Sequence, residues 1–61
     1  MNKIYVAILQ RPMASLDETN IEVFLNIAEA QEWVDRLLAD DDAKGGYSED
    51  EMNWGIFERT L

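Results

Sequence analysis

The segment IYVAIL, residues 4–9, is an unbroken run of apolar side chains and predicts the central strand of a β-sheet. Successive side chains of a strand point to opposite faces of the sheet. The two faces of this strand would carry Ile4, Val6 and Ile8 on one side and Tyr5, Ala7 and Leu9 on the other. Two apolar faces are typical of a strand that is covered on both sides or nearly so. We predict that the strand runs from Met1 to Leu9 and stops before Pro12, because proline cannot donate to the strand ladder.

A second strand and a helix are predicted downstream. Ile21 to Leu25 alternates in the way that strands do. Asn26, followed three residues later by Glu29, is a capping-box pattern that predicts the start of a helix. Helical spacing then predicts an apolar stripe made of Ile27, Ala30, Val34, Leu37 and Leu38, with Trp33 at its edge. Gly45 or Gly46 supplies the end of the helix.

Residues 52–61 predict a third strand, whose bulky side chains are Trp54, Ile56 and Phe57. Gly55 is unusual inside a strand, so a short C-terminal helix from Glu49 is the alternative. The segment that precedes the predicted third strand, Ser48 to Glu51, has the pattern of a helix cap or a polar turn. A right-handed crossover would place the third strand beside the first, in the spatial order 2-1-3. We therefore predict one α+β domain over residues 1–61, a β-β-α-β chain with a three-stranded antiparallel sheet and one helix on one face.

The composition excludes several classes of function. The 61 residues include 13 Asp and Glu against 5 Lys and Arg, which gives a net charge of -8 that repels nucleic acid and anionic membranes. The chain has no cysteine and no histidine, so disulfides, thiolate metal sites and imidazole chemistry are excluded. The first apolar run is too short for a signal peptide or a membrane span, so we expect a cytoplasmic protein.

Catalytic patterns are also missing from the sequence. It contains no nucleophile–base pair, no glycine-rich phosphate loop and no nucleotide fingerprint. An acid–base carboxylate needs a pKa shifted by burial or by a close partner. Glu22 and Glu58 are the acids within the predicted strands, and both are expected to face outward. We expect no enzymatic activity and no cofactor.

Acidic side chains are concentrated on the predicted helix and in the segments that follow it. They are Glu29, Glu32 and Asp35 on the solvent side of the helix, Asp40, Asp41 and Asp42 at its end, and then Glu49, Asp50 and Glu51. An acid at the C-terminal end of a helix costs about 0.3–1 kcal/mol, because that end carries partial negative charge. These acids promote solubility, and they also suit a surface that imitates the phosphates of DNA and binds a basic partner.

Residues 40–51 fit part of a calcium-binding loop. Asp40, Asp42, Gly45 and Glu51 occupy the first, third, sixth and twelfth positions of that pattern. Lys44 occupies the fifth position, where an oxygen ligand belongs and where a cation repels the metal. A calcium-binding module through Asp40, Asp42 and Glu51 is therefore kept as an alternative.

The sheet face that the helix leaves uncovered is another candidate interface. We expect it to carry Tyr5, Phe24 and either Trp54 or Phe57. Aromatic patches of this kind mark protein interfaces, including those of homodimers. This alternative predicts a structural or regulatory interaction module that is a monomer or a weak homodimer.

The whole set of features resembles the small acidic proteins that phages and mobile elements encode against host defences, such as anti-CRISPR proteins and DNA-mimic inhibitors. The features are the short chain, the absence of Cys and His, the acidic runs Asp40–Asp42 and Glu49–Glu51, and a compact mixed fold. No sequence motif is shared, so no binding residue is carried over. The resemblance implies an inhibitor in the host cytoplasm that blocks the nucleic-acid-binding site of a defence protein, such as a CRISPR effector.

Overall fold

The computed structural model describes residues 2–61, which form three strands and one long helix. In chain order these are β1 (Lys3–Gln10), β2 (Asn20–Phe24), α1 (Ile27–Ala43) and β3 (Asn53–Thr60), with a short 3-10 turn at Leu16–Glu18. Both strand pairs are antiparallel, and the order across the sheet is β2-β1-β3. The predicted fold and strand order are confirmed, and the helical alternative for residues 52–61 is wrong. Within residues 2–61, no helix combines the length and the apolar character needed to cross a membrane.

β1 is the central strand, and α1 covers only one of its faces. Ala7 and Leu9 are buried in one cluster with Ala30 and Val34 of the helix. Ala7 and Ala30 are both fully buried, and side chains this small allow a helix to pack closely on a sheet. The face of β1 that contains its smallest side chain is therefore the face that the helix covers.

The predicted aromatic interface does not form on the uncovered side of the sheet. Tyr5 and Phe24 are paired across β1 and β2, and both pack against the buried core. Trp54 is in register with a buried residue of β1, so it also belongs to the helix side, where it is 39% exposed. Only Phe57 of the four predicted residues lies on the uncovered face. The assignment of Tyr5, Phe24 and Trp54 to that face is wrong, because the helix packs on the opposite face from the one expected.

The uncovered side, called the open sheet face below, is mainly aliphatic. The register brings together on it the side chains of Ile4, Val6, Ile8, Ile21, Val23 and Phe57. The three β1 members are half-buried, whereas Ile21, Val23 and Phe57 are 54%, 52% and 44% exposed. The Phe57 ring lies so close to Gly55 that a Cβ atom there would be 3.0 Å from it. The glycine that weakened the strand prediction thus makes room for an aromatic ring.

The core is small and lies between α1 and the sheet. Its buried apolar side chains are Ala7, Leu9, Ala30, Val34, Leu38 and Met52. The rings of Phe24 and Trp33 pack beside it, with their centroids 5.9 Å apart. Ile27, which was also expected in the stripe, is the first residue of α1, one turn before the first buried position, and is 57% exposed.

Both ends of α1 use the capping residues that the sequence predicts. Asn26 Oδ1 accepts a hydrogen bond of 2.7 Å from the backbone N–H of Ala28. At the other end Gly45 has a φ of 76°, and its N–H donates to the carbonyl of Asp42 while the N–H of Gly46 donates to that of Asp41. This pair of bonds is the Schellman motif, which requires a left-handed residue that glycine adopts without strain. The helix end reverses the chain and directs it back along α1.

Candidate acidic contact surface

The structure exposes eight of the nine acids predicted to contact a partner and buries Asp41. The eight exposed acids differ in whether a lysine or arginine lies beside them. Glu32 and Asp40 are in ion pairs with Arg36 and Lys44, at 3.0 and 2.9 Å, each four residues along the helix. A cation beside each of these carboxylates reduces the negative potential that a partner would meet there.

Four of the exposed acids line one open depression of about 440 Å³, called the acidic groove below. They are Asp35, Asp42, Glu49 and Asp50. Leu38, Ala39 and Ser48 complete its lining, so no lysine or arginine of residues 2–61 is among the residues that form it. The groove is thus a negative surface with an apolar strip inside it.

Two elements build the acidic groove. Asp35 and Asp42 are seven residues apart on α1, and two helical turns place them on the same flank, about 10 Å apart along the axis. Glu49 and Asp50 come from the turn that follows the Schellman motif. In that turn Glu51 Oε1 accepts hydrogen bonds of 3.1 Å from both the backbone N–H and the hydroxyl of Ser48. The predicted S-x-x-E turn therefore forms, and Glu51 is engaged within it.

Asp41 is a structural residue rather than a contact residue. Its side chain is 7% exposed, Oδ1 accepts a 2.7 Å hydrogen bond from Arg11, and Oδ2 accepts a 2.8 Å bond from the N–H of Tyr47. The prediction that Asp41 contacts a partner is wrong, because its position continues the buried stripe of Val34 and Leu38 at helical spacing. That spacing was the sequence signal for the burial of Asp41. No local pattern indicated that Arg11 and Tyr47 would be its hydrogen-bond partners.

The calcium-binding alternative is not supported by the geometry. Residues 40–43 are still helical, so Asp40 and Asp42, two positions apart, project about 200° from each other around the axis. Asp40 is paired with Lys44, and Glu51 accepts from Ser48. Among the residues that the structure describes, no three acidic side chains are grouped closely enough to hold a metal ion. The loop that the motif requires is replaced here by the last turn of a helix.

The connection between β1 and β2 carries its own local order. Ser15 Oγ donates hydrogen bonds of 2.7 Å to Asp17 and to Glu18. The bond from Ser15 is the main reason that the pKa of Asp17 is lowered from its ordinary value of 3.8. Gln10 also donates to the carbonyl of Ala14 and to the Thr19 hydroxyl, both at 3.0 Å. Asp17 and Glu18 therefore bind within their own loop, and they lie outside the acidic groove.

Comparisons with known proteins give no relative for this chain. No protein-family model, no curated protein and no solved structure matches it.

Proposed function

We propose that this chain is an acidic binding domain that occupies the basic, nucleic-acid-binding surface of another protein. The observation that supports this proposal is the acidic groove, where Asp35, Asp42, Glu49 and Asp50 face one depression without a cation among its lining residues. Proteins that bind nucleic acids neutralise phosphates with lysine and arginine. The same lysine and arginine side chains can bind the carboxylates of the groove. While they do so, they are not available to the phosphates of the nucleic acid.

The apolar strip of the groove suits lysine and arginine in particular. These side chains bury their aliphatic stems against apolar surface while the charged head reaches a polar group. Leu38 and Ala39 lie between Asp35 and Asp42 in the sequence and line the groove with them. One DNA strand carries about three phosphates over the 10 Å of axis that separates these two acids. Glu49 and Asp50 add charge beside that row, which brings the groove to a comparable charge density.

The resemblance to phage-encoded inhibitors makes the proposal more specific. A protein of this kind acts in stoichiometric amounts on a defence protein, of which a CRISPR effector is the example. The proposed target is therefore a nucleic-acid-handling protein of the cell in which the chain is produced, and the proposed effect is loss of nucleic-acid binding by that target.

The test combines capture of the partner with removal of charge from the groove. A tagged chain is used to capture proteins from the natural host, and excess duplex DNA is added to the captured complex. We expect a nucleic-acid-binding protein that DNA displaces. The quadruple variant Asp35→Asn, Asp42→Asn, Glu49→Gln and Asp50→Asn should then bind that protein at least about tenfold more weakly, and wild-type affinity should fall steeply with salt, which screens exposed charges.

A matched control removes the same number of charges elsewhere. The variant Asp17→Asn, Glu18→Gln, Glu22→Gln and Glu58→Gln also changes the net charge from -8 to -4, since four carboxylates become amides. All four positions are exposed and outside the groove. This control should keep most of the affinity. Equal binding by both quadruple variants, or a partner that DNA leaves in place, would contradict the proposal.

A further inference from the structure

The open sheet face is an apolar surface that the fold leaves without a covering layer. It combines side chains from all three strands, and its outer members Ile21, Val23 and Phe57 are about half exposed. A sheet with one apolar face usually buries that face against a second layer. Here α1 supplies a layer on the opposite side only.

The distribution of charge on this face differs from that of the rest of the molecule. Of the 13 acids, only Glu22 and Glu58 are in strands, and their register with Ala7 and Tyr5 puts both on the helix side. The charged side chain in register with the open sheet face is Arg59, whose guanidinium lies 5.7 Å from the centre of the Phe57 ring. Two copies, each with a net charge of -8, can therefore approach through this face without bringing carboxylates together.

The exposed area of the chain is also larger than the average for a monomer of its size. The surface is 4550 Å², whereas a compact monomer of 7.0 kDa exposes about 4000 Å². The radius of gyration of 12.2 Å compares with about 10.5 Å for a compact domain of 61 residues. The excess of about 500 Å² per chain includes exposed side chains outside the open sheet face, such as Met13 and Leu16, so an interface on that face would be below the roughly 800 Å² per partner of standard complexes.

We propose that two copies of this chain pack through their open sheet faces to form a two-layer β-sandwich with the helices outside. The two sheets would lie about 10 Å apart, the usual spacing for packed sheets. A second copy fits this face better than a basic partner does, because the face offers no carboxylate to a cation, while a second copy offers matching aliphatic side chains. The two acidic grooves would then face outward on opposite sides of the dimer.

Sedimentation equilibrium over a range of protein concentrations tests the dimer directly. We expect weak, reversible association of the wild-type chain that increases with concentration, because interfaces below the standard size are typical of transient contacts. Ile21→Lys should weaken association at least about tenfold, because it places a charge in the apolar interface. Ile27→Lys is the matched control, since Ile27 is exposed to nearly the same extent, 57% against 54%, but lies on the helix.

Circular dichroism of each variant shows whether it is folded, and Val23→Lys replaces Ile21→Lys if the latter is not. Added salt should increase the affinity of the dimer, because it screens the repulsion between two acidic copies. It should decrease the affinity of the acidic groove for a basic partner. The two proposals can therefore be tested separately. A wild-type chain that stays monomeric at all concentrations would overturn the inference. Equal association by Ile21→Lys and wild type would do the same, since it would place the contact elsewhere, for instance at the exposed edge of β3.

Discussion

Asp41 connects three parts of the chain through one carboxylate. It lies in the last turn of α1, binds Arg11 from the β1–β2 connection and accepts a hydrogen bond from the backbone of Tyr47 beyond the helix. A buried carboxylate is favourable only when its oxygens are satisfied, and here each oxygen has a partner. Asp41 thereby joins the end of the helix to the β1–β2 connection and to the turn that follows α1.

Asp41→Ala should lower the free energy of unfolding by about 2–3 kcal/mol, because it removes charge-assisted hydrogen bonds and leaves the Tyr47 N–H without its acceptor. Urea denaturation followed by circular dichroism measures this change. The control is Asp42→Ala, which removes an exposed acid from the next position and should change stability by less than about 0.5 kcal/mol. Equal losses in both variants would show that burial of Asp41 is unimportant.

The role of Asp41 could be predicted only in part. Its spacing from Val34 and Leu38 marks the buried side of the helix, but an aspartate within an Asp-Asp-Asp run favours a solvent-exposed interpretation. Arg11 is 30 residues away, and no local pattern connects the two. The other eight acids were correctly expected at the surface, since an unpaired carboxylate is rarely buried.

At the scale of the elements, the end of α1 brings Gly46 close to the Asp41 side chain, and this contact can be tested by mutation. A Cβ atom on Gly46 would lie 2.8 Å from the Asp41 carboxylate, whereas one on Gly45 would meet no atom within 4 Å. Gly46→Ala should therefore cost about 1–3 kcal/mol by displacing a side chain that is held in place. Gly45→Ala should cost about 1–2 kcal/mol for a different reason, its left-handed backbone.

A double-mutant cycle on unfolding free energies separates the two causes. In combination with Asp41→Ala, the cost of Gly46→Ala should shrink by about 1 kcal/mol or more, because the clashing carboxylate is gone. The cost of Gly45→Ala should stay unchanged in the same background. Additive effects for Gly46 would argue against the close approach seen in the structure.

Elements that depend on neighbouring residues were predictable. The capping residues Asn26 and Gly45 and all three strands were recognised from local pattern, with boundaries within two residues of those observed. The sequence did not predict which face of β1 the helix covers, because both faces are apolar and periodicity does not distinguish them. The size of Ala7 was the remaining clue, since close packing favours the smaller face.

At the scale of the whole molecule, uncompensated charge governs the response to salt. Four of the five cations are in ion pairs with carboxylates, and the fifth, Arg59, lies over Phe57. Nine of the 13 acids therefore have no cation within ion-pair distance among residues 2–61, since 13 minus 4 is 9. Net charge of this size destabilises a compact state through self-repulsion.

Raising sodium chloride from about 10 mM to about 0.5 M should therefore increase the melting temperature by several degrees, because the screening length falls from about 30 Å to a few ångströms. A gain of about 1 kcal/mol corresponds to about 4–8 °C in a domain of this size. Differential scanning fluorimetry at low protein concentration measures it without a contribution from dimers. The quadruple groove variant is the control and should respond less, whereas a melting temperature that falls with salt would contradict the argument.

The acidic groove is a property of the whole molecule that the sequence could not predict. Asp35 and Asp42 are grouped by helix geometry, but Glu49 and Asp50 reach the same depression only because the chain reverses at Gly45. The acids that Arg36 and Lys44 neutralise are, by contrast, recognisable from their spacing along the helix. The pairs Glu32–Arg36 and Asp40–Lys44 have the i,i+4 spacing that the sequence shows, whereas the meeting of Glu49 and Asp50 with Asp35 and Asp42 follows from tertiary packing.

The pairing of β1 with β3 also brings positions 2 and 61 side by side. Lys3 is opposite Thr60, and the N–H of Leu61 donates a 2.9 Å hydrogen bond to the carbonyl of Asn2. Glu49 and Asp50 precede the other end of β3. A fluorescent reporter fused at either position would thus project from the end of the sheet remote from that turn.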